Sequence, residues 1–384
     1  MKAKHLLAAA VSVVLLAACG KQSADTAQAD QASAPSSVAQ DGEEKILNFY
    51  NWADYIPENM IADFEKETGI KVNYQTFESN EMLNAKLVAG NSGYDLVVPG
   101  SVFAKAQIEA GLLRKLDKEQ IPNYKNLDPA IMAKLGKVDP NNEYLVPWGW
   151  SYVTVAINKD AVEKALAGTA MPDNAWDLVF NPSYTSKLKS CGIAYLDTPS
   201  EILPSAMRYI GKPPYSTDVA DYKAAGEMLA KVRSDVRIFS STMIDDLSSG
   251  RACAAIGWAG DINIARTRAV ENNSGIKIEA LVPSTGAILF FDNLAMPKDA
   301  KHPGNAQKFI NYFLQPKVSA SLTNAMTYPV ANMLAKEHVK PELANDKSTF
   351  LDAESMAKMV EPEGFTKEAR EAMNSVFTEF KKGR

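Results

Sequence analysis

An aromatic ring stands close to a carboxylate in the stretch from Ala254 to Asp261, a combination that suits a small organic cation. The stretch begins as an apolar run typical of a buried strand, continues with Trp258 between two glycines, and ends on Asp261. The face of an indole attracts a cation, and a carboxylate adds the opposite charge. Taken alone, the stretch is more typical of a core tryptophan followed by an aspartate that caps a helix.

Rings and carboxylates also occur together in three further segments where strands are expected to end: Tyr50–Tyr55, Tyr195–Glu201 and Phe290–Asp292. Asp292 interrupts two apolar runs, and a lone aspartate in such company is rarely buried without a partner. Its alternative role is a turn or a structural hydrogen bond. For Trp52 and Asp54 the alternative is a core aromatic residue followed by a loop cap.

Residues for common enzymatic chemistry are scarce. Beyond the N-terminal signal the sequence has two histidines, His302 and His338, and it lacks the metalloprotease, nucleophile-elbow and phosphate-loop motifs. We therefore expect no enzymatic activity, no metal and no cofactor, with paired carboxylates acting on a glycoside left open as an alternative. The formal charge of −5 becomes about −7 without the signal, which argues against nucleic acid as a partner.

The N-terminus has the parts of a secretory signal: two lysines, an apolar run from Leu6 to Leu16, and two alanines before Cys19. This ending resembles a bacterial lipobox, which implies cleavage before Cys19 and lipid attachment to it. The alternative is an ordinary signal peptide that happens to contain a cysteine. We expect a lipoprotein signal peptide at 1–18, a lipidated cysteine and disordered tether at 19–44, and a periplasmic protein anchored to either bacterial membrane.

The remaining cysteines, Cys191 and Cys253, are the one pair left in an oxidising compartment. We predict a disulfide between them, the alternative being two buried free thiols. Such a bridge closes a loop of about 62 residues and is worth roughly 4 kcal/mol in the chain-entropy model.

Strand and helix periodicities alternate from residue 46 onward, which predicts an α/β fold with strands near 46–50, 70–76 and 95–98. The apolar run Leu145–Asn158 is expected to cross from a first lobe into a second. A body of about 340 residues exceeds what one core usually serves. We expect two α/β lobes with a ligand cleft at the strand ends, the N-terminal lobe at 45–149 plus 262–310 and the C-terminal lobe at 150–261 plus 311–384.

Five segments resemble the substrate-binding proteins of bacterial polyamine ABC transporters, above all the putrescine-binding branch: Tyr50–Val72, Tyr94–Gly100, Leu188–Glu201, Ala255–Asp261 and Phe290–Pro297. The likeness extends over the chain from about Lys45 onward. It implies a periplasmic-binding-protein fold, in which crossing hinge strands join two α/β lobes around a ligand cleft.

The resemblance also implies a set of ligand-binding residues: Trp52, Asp54, Tyr55, Glu201, Trp258, Asp261, Phe290, Asp292 and Tyr328. A diamine has two ammonium groups on an apolar chain, so its site needs carboxylates at the ends and rings along the middle. We expect Asp261 and Asp292 to bind ammonium groups directly, Glu201 to act through water, and the rings to surround the methylenes.

The sequence departs from the putrescine-binding pattern at two positions. Ala53 and Gly100 stand where the family commonly has serine, so either water replaces the two hydroxyl groups, or the affinity or the preferred chain length of the ligand differs. Val102 and Thr198 match positions that separate putrescine from spermidine binders in the family, and neither is large or charged. Together with Phe290 and Asp54, which follow the putrescine type, Val102 and Thr198 favour putrescine over spermidine.

The function expected from this resemblance is that of a monomeric, lipid-anchored receptor. It would capture a polyamine outside the inner membrane and deliver it to an ABC permease. The alternatives are a receptor for spermidine or another organic cation, an envelope hydrolase with paired carboxylates, and a surface lipoprotein acting as an adhesin.

Overall fold

The computed structural model describes residues 42–53 and 55–383 of the chain. The predicted signal peptide, Cys19, most of the tether and Asp54 lie outside the described residues. From Glu43 onward the chain forms one unit. In this part of the chain no helix is long and apolar enough to cross a membrane.

The described residues contain ten strands: β1 (Ile46–Trp52), β2 (Lys71–Phe77), β3 (Leu96–Val97), β4 (Leu113–Arg114), β5 (Leu145–Asn158), β6 (Ile193–Tyr195), β7 (Val236–Phe239), β8 (Ala254–Trp258), β9 (Ile278–Leu281) and β10 (Ile288–Pro297). The strands predicted near 46–50, 70–76 and 95–98 correspond to β1, β2 and β3. The predicted α/β class is confirmed.

The helices in the same range are sixteen: α1 (Met60–Thr68), α2 (Asn80–Ala89), α3 (Ser101–Glu109), α4 (Pro129–Leu135), α5 (Lys159–Leu166), α6 (Asp177–Phe180), α7 (Pro182–Leu188), α8 (Pro199–Tyr209), α9 (Val219–Val232), α10 (Met243–Ser248), α11 (Ala259–Glu271), α12 (Pro303–Phe313), α13 (Pro316–Met326), α14 (Pro341–Ala344), α15 (Ala353–Lys358) and α16 (Lys367–Lys382). Short 3-10 turns lie at Lys118–Gln120, Pro122–Asn126, Pro140–Asn142, Arg233–Asp235 and Ala335–His338. Local signals set several of these ends: Ser79 caps α2 by accepting from the Met82 amide, and Gly69 ends α1 with φ of 70°.

Two long antiparallel strands, β5 and β10, occupy the middle of the sheet, whose order is β2-β1-β3-β10-β5-β8-β6-β7. On one side β1 runs parallel to β2 and β3, and on the other β6 runs parallel to β7 and β8. The predicted crossing strand is thus found as β5, at Leu145–Asn158. The boundaries of the two predicted lobes stay a prediction.

Aromatic side chains form two separate clusters in the core. On one side of the central pair, Phe49 packs on Phe309 with ring centroids 5.0 Å apart, and Trp148 packs on Phe313 at 4.5 Å. On the other side, Tyr195, Phe239, Phe377 and Phe380 contact one another. Such rings bury large apolar areas, so each group of parallel strands is stabilised by its own set of helices.

Some predicted boundaries are wrong near the glycine-containing turn after β8. The helix for which Asp261 was the candidate cap begins at Ala259, with Trp258 at its N-cap position. Asp261 is therefore not a cap but lies in the first turn. The strand expected to end near Phe290–Asp292 continues to Pro297, because the bulge opposite Asp292, in β5, shifts the register without ending the pairing.

The predicted disulfide is present: Cys191 and Cys253 are bonded, with Cα atoms 5.5 Å apart. Cys191 lies two residues before β6, and Cys253 lies one residue before β8. Because β6 and β8 are parallel neighbours, the bridge fixes the two strands at their amino ends.

Replacing both cysteines by serine should lower the free energy of unfolding by about 2–4 kcal/mol, because the unfolded chain regains the freedom of a 62-residue loop. Urea unfolding of the variant and of the wild type, each followed by fluorescence, measures the difference. The reduced wild type should match the variant. Equal stability of the oxidised wild type and the variant would contradict a stabilising bridge.

Candidate functional site

Two of the predicted carboxylates lie just beyond neighbouring parallel strands. Chain segments leaving β6 and β8 continue into α8 and α11, and the first turns of these helices contain Glu201 and Asp261. Carboxyl ends of parallel strands meet at one edge of a sheet, so the two acidic groups come together there. The Trp258 side chain lies close enough to the Glu201 carboxyl group to lower the pKa of that group. The positive ends of both helices favour negative charge at this edge.

The third carboxylate, Asp292, lies on β10 opposite a β-bulge in β5, where Trp148 is the extra residue. The register between β10 and β5 shifts between Asp292 and Asn293, where Asp292 lies opposite Gly149. Asp292 also forms an isolated antiparallel bridge with Gly100, just before α3. Bulges redirect a side chain and are frequent beside functional sites. The side chain is 9% exposed, so it is nearly removed from solvent.

Three of the predicted aromatic residues contact one another around these acids. The Tyr328 ring lies 5.0 Å from the Tyr55 ring and 6.3 Å from the Phe290 ring, both edge-on. The Tyr328 hydroxyl donates to Asp261 Oδ1 at 2.6 Å. The rings and the carboxylates therefore belong to one site.

Two glycines make this approach of the rings possible: Gly260, one of the pair that flanks Trp258 in the sequence, and Gly149, which sequence reasoning missed. A Cβ atom at Gly149 would lie 2.4 Å from the Tyr55 hydroxyl oxygen, and one at Gly260 would lie 2.3 Å from the Tyr328 ring. Neither glycine has a positive φ, so close approach is what requires them. For Gly149 a signal was present, because a glycine inside an aromatic strand often marks a close neighbour.

Buried donors fix the segment that contains Tyr55. The Tyr55 carbonyl oxygen accepts from Asn51 Nδ2 at 3.0 Å and from the indole nitrogen of Trp148 at 3.2 Å. The Trp52 indole donates to the Val98 carbonyl at 3.0 Å, two residues before Gly100. Trp52 packs on Phe77 with centroids 4.6 Å apart. Trp52 is thus held against the chain that leads from Val98 to Gly100.

The hydroxyl group of Tyr55 is buried and has no hydrogen-bond partner of good geometry among the described residues. Burial, with Asp292 and Asp261 nearby, raises the pKa of Tyr55 well above 10. The group therefore stays protonated at neutral pH. An unsatisfied buried hydroxyl is costly, so the site has an open hydrogen-bonding position.

The three carboxyl groups have raised pKa values in the ligand-free protein. Burial is the main cause, raising the pKa to about 8 for Asp292, about 7 for Glu201 and about 6 for Asp261. Repulsion from Glu201 and Asp261 adds to the shift at Asp292. Hydrogen bonds from Trp258 and Tyr328 act in the opposite direction at Glu201 and Asp261. No lysine or arginine among the described residues lowers the pKa of any of these three groups, so their negative charges are not balanced by a cationic side chain.

Sequence reasoning missed one further residue near Glu201. Tyr215 is half-buried, packs on Phe365 with ring centroids 5.1 Å apart, and has its pKa raised by burial and by the charge of Glu201. It lies in the loop after α8, where no periodicity pointed to it. In the described part of the chain no group of His, Cys, Asp and Glu side chains could hold a metal ion.

The chain is similar to known binding proteins over nearly all of its length. A family model for bacterial extracellular solute-binding proteins matches residues 59–349. The putrescine-binding periplasmic protein SpuD of Pseudomonas aeruginosa is 41% identical over 348 residues, which cover 90% of this chain and 95% of the relative. The corresponding protein PotF of Escherichia coli is 43% identical over 319 residues, covering 83% and 86%.

Solved structures give the same result. A putative spermidine/putrescine ABC transporter from Listeria monocytogenes superposes with a TM-score of 0.76 at 30% identity, covering 89% of this chain and all of that one. The PotD substrate-binding protein of Streptococcus pneumoniae superposes with a TM-score of 0.75 at 25% identity, covering 88% and 99%.

Asp292→Asn should stabilise the ligand-free protein, and the gain should grow as the pH rises from 5 to 8. The folded-state pKa of Asp292 is about 8, well above the unfolded value near 4, so the folded protein binds more protons in this window and loses stability as the pH rises. Asparagine cannot ionise, so we expect a gain of about 1–3 kcal/mol at pH 8. Urea unfolding of ligand-stripped protein at both pH values measures it.

The matched control is Asp63→Asn, an exposed aspartate on α1, for which we expect a change below about 0.5 kcal/mol at either pH. If Asp292→Asn instead lowers the free energy of unfolding at pH 8, the ionised carboxylate is stabilised by a partner and does not destabilise the ligand-free fold.

Proposed function

The chain belongs to the family of bacterial extracellular solute-binding proteins, and we propose that its ligand is a linear polyamine, putrescine above all. The single observation that carries this proposal is the convergence of three carboxyl groups with raised pKa values beside aromatic rings, where no lysine or arginine of the described residues offsets those pKa values. Membership of this family agrees with the expectation of a receptor and not an enzyme.

Charge and shape together select the ligand class. A diamine supplies a positive charge at each end, which offsets the repulsion between the carboxylates, and its methylenes suit the ring surfaces. Each contact of an ammonium group with a ring face contributes on the order of 0.5–2 kcal/mol. We propose that Asp261 and Asp292 bind ammonium groups directly, that Glu201 acts through water, and that the Tyr55 hydroxyl interacts with the bound amine.

The proposed aromatic walls are the rings of Trp52, Tyr55, Trp258, Phe290 and Tyr328. The proposed site also includes Asp54, which lies outside the described residues. The names of the relatives agree with this ligand class, since SpuD and PotF are called putrescine-binding. A spermidine/putrescine-binding protein of Escherichia coli is 34% identical over 322 residues, less than SpuD at 41% and PotF at 43%.

The cellular role proposed is delivery of the polyamine to an ABC permease in the inner membrane. The protein would act as a periplasmic monomer with two lobes, held to a membrane by lipid on Cys19. Replacing Cys19 by alanine should then move the protein from the membrane fraction to the soluble fraction, as measured by immunoblotting. Membrane association that survives this change would contradict the anchor.

Calorimetric titration tests the ligand. The protein from Gly20 onward, unfolded and refolded to remove any carried ligand, should bind putrescine with one-to-one stoichiometry and more tightly than cadaverine, spermidine or spermine. Tightest binding of spermidine would keep the receptor class and change the ligand. Failure of a folded protein to bind any of the four would overturn the proposal and favour another organic cation or an adhesin.

A matched pair of variants tests the site. Asp261→Asn removes one charge-assisted contact, worth roughly 1.5–3 kcal/mol, and should weaken putrescine binding at least about tenfold. Asp63→Asn changes the same residue type on the exposed face of α1 and should leave the affinity unchanged. Equal affinities of the two variants would remove Asp261 from the site.

A further inference from the structure

The backbone conformation of Gly100 does not require a glycine at this position. Its φ of −67° and ψ of 149° are extended values that any residue adopts. A Cβ atom built on it would lie 2.9 Å from Nδ2 and 3.3 Å from Oδ1 of Asn80. The space for a side chain at position 100 is therefore occupied by the carboxamide of Asn80.

Asn80 is held in this place by the backbone of Gly100. Its Oδ1 atom accepts from the Gly100 amide at 2.9 Å, and Asn80 is the first residue of α2, directly after the Ser79 cap. Its Nδ2 atom donates to no other described residue. The side chain is partly exposed, so it borders open space and is not enclosed in the core.

The pairing of Gly100 with Asp292 places this carboxamide beside the ligand carboxylate. The two residues form an antiparallel bridge. Side chains directly opposite each other in such a pair point to the same face of the sheet, with Cβ atoms about 4.5–5.5 Å apart. Because Asn80 fills the position of a side chain at 100, it lies on the face of Asp292, next to it.

We infer that Asn80 is a specificity-determining residue of the site: its carboxamide closes the space beside Asp292, so that the amine bound there must be a primary ammonium at the end of the ligand. A primary ammonium group ends at its nitrogen and needs no room beyond it. A secondary ammonium placed at Asp292, as when the inner nitrogen of spermidine or the methylated nitrogen of N-methylputrescine binds there, continues into another alkyl group that collides with the carboxamide. This inference rests on the proposed function, and it assigns to Asn80 the exclusion of substituted amines from the Asp292 end of the site, which leaves such a ligand only the reverse orientation.

The quantity to measure is the selectivity ratio, defined as Kd for the extended ligand divided by Kd for putrescine, for both spermidine and N-methylputrescine. Asn80→Ala opens the space, so both ratios should fall at least about fivefold while putrescine affinity changes little. Asn80→Leu keeps the volume without the amide and should hold both ratios within about twofold of the wild type. Asn84→Ala is the matched control, since it lies one turn further along α2 and contacts Gln107 instead.

Refilling the space gives a second, independent measurement. In the Asn80→Ala background a side chain fits at position 100, so adding Gly100→Ser should raise the ratios again. In the wild-type background the same serine clashes with the Asn80 carboxamide. The change in selectivity ratio that Gly100→Ser causes should therefore differ at least about threefold between the two backgrounds, and the double-mutant cycle measures this difference. The thermal midpoint of each variant confirms that it is folded.

The outcomes separate the two claims. A wild type that binds none of the polyamines defeats the proposed function itself. A wild type that binds spermidine as tightly as putrescine, or Asn80→Ala ratios equal to those of the wild type in a protein that binds putrescine, overturns the role of Asn80 and leaves the receptor in place.

Discussion

Burial of three carboxyl groups, to which no lysine or arginine among the described residues adds a stabilising charge, is the constraint on which this structure depends. Asp292 alone has a pKa near 8, which means that the ligand-free fold holds it at a cost. Such a group is retained when its charge is used by something that binds. Helix starts at Glu201 and Asp261, together with hydrogen bonds from Trp258 and Tyr328, oppose part of that cost and set the positions of the charges.

Precise packing around the acids comes from small residues and irregular backbone. Gly149 lets the Tyr55 ring approach β5, Gly260 lets the Tyr328 ring approach α11, and the bulge in β5 shifts the register opposite Asp292. Gly100, which is bridged to Asp292, makes room for Asn80. Each glycine lacks a side chain where a ring or an amide from another segment needs the space, and the bulge interrupts the regular strand pairing beside Asp292. Such features are common at binding sites.

Much of this arrangement could be predicted from the sequence. Alternating periodicities located β1 to β3 and the long β5, and the count of cysteines gave the disulfide. Tyr55, Glu201, Trp258, Asp261, Phe290, Asp292 and Tyr328 were found by rings beside acids and by resemblance, and the structure brings them together. Asn80, Tyr215 and Gly149 were missed, because their roles depend on contacts between segments that are distant along the chain. The start of α11 was misplaced because Gly260 suggested a turn, whereas its lack of a Cβ atom serves the packing of Tyr328.

The chain near Val360 has a consequence for how the site comes into being. Its amide donates to the Ala287 carbonyl at 2.8 Å and its carbonyl accepts from the Leu289 amide at 2.9 Å, beside the residues that lead to Phe290 and Asp292. This segment therefore supports a strand made some seventy residues earlier in the chain. The backbone beside Phe290 and Asp292 cannot reach its final hydrogen bonding until the chain around Val360 has been synthesised and has docked on it. Cleavage of the chain just before Val360 should therefore loosen this part of β10 although Phe290 and Asp292 stay in place.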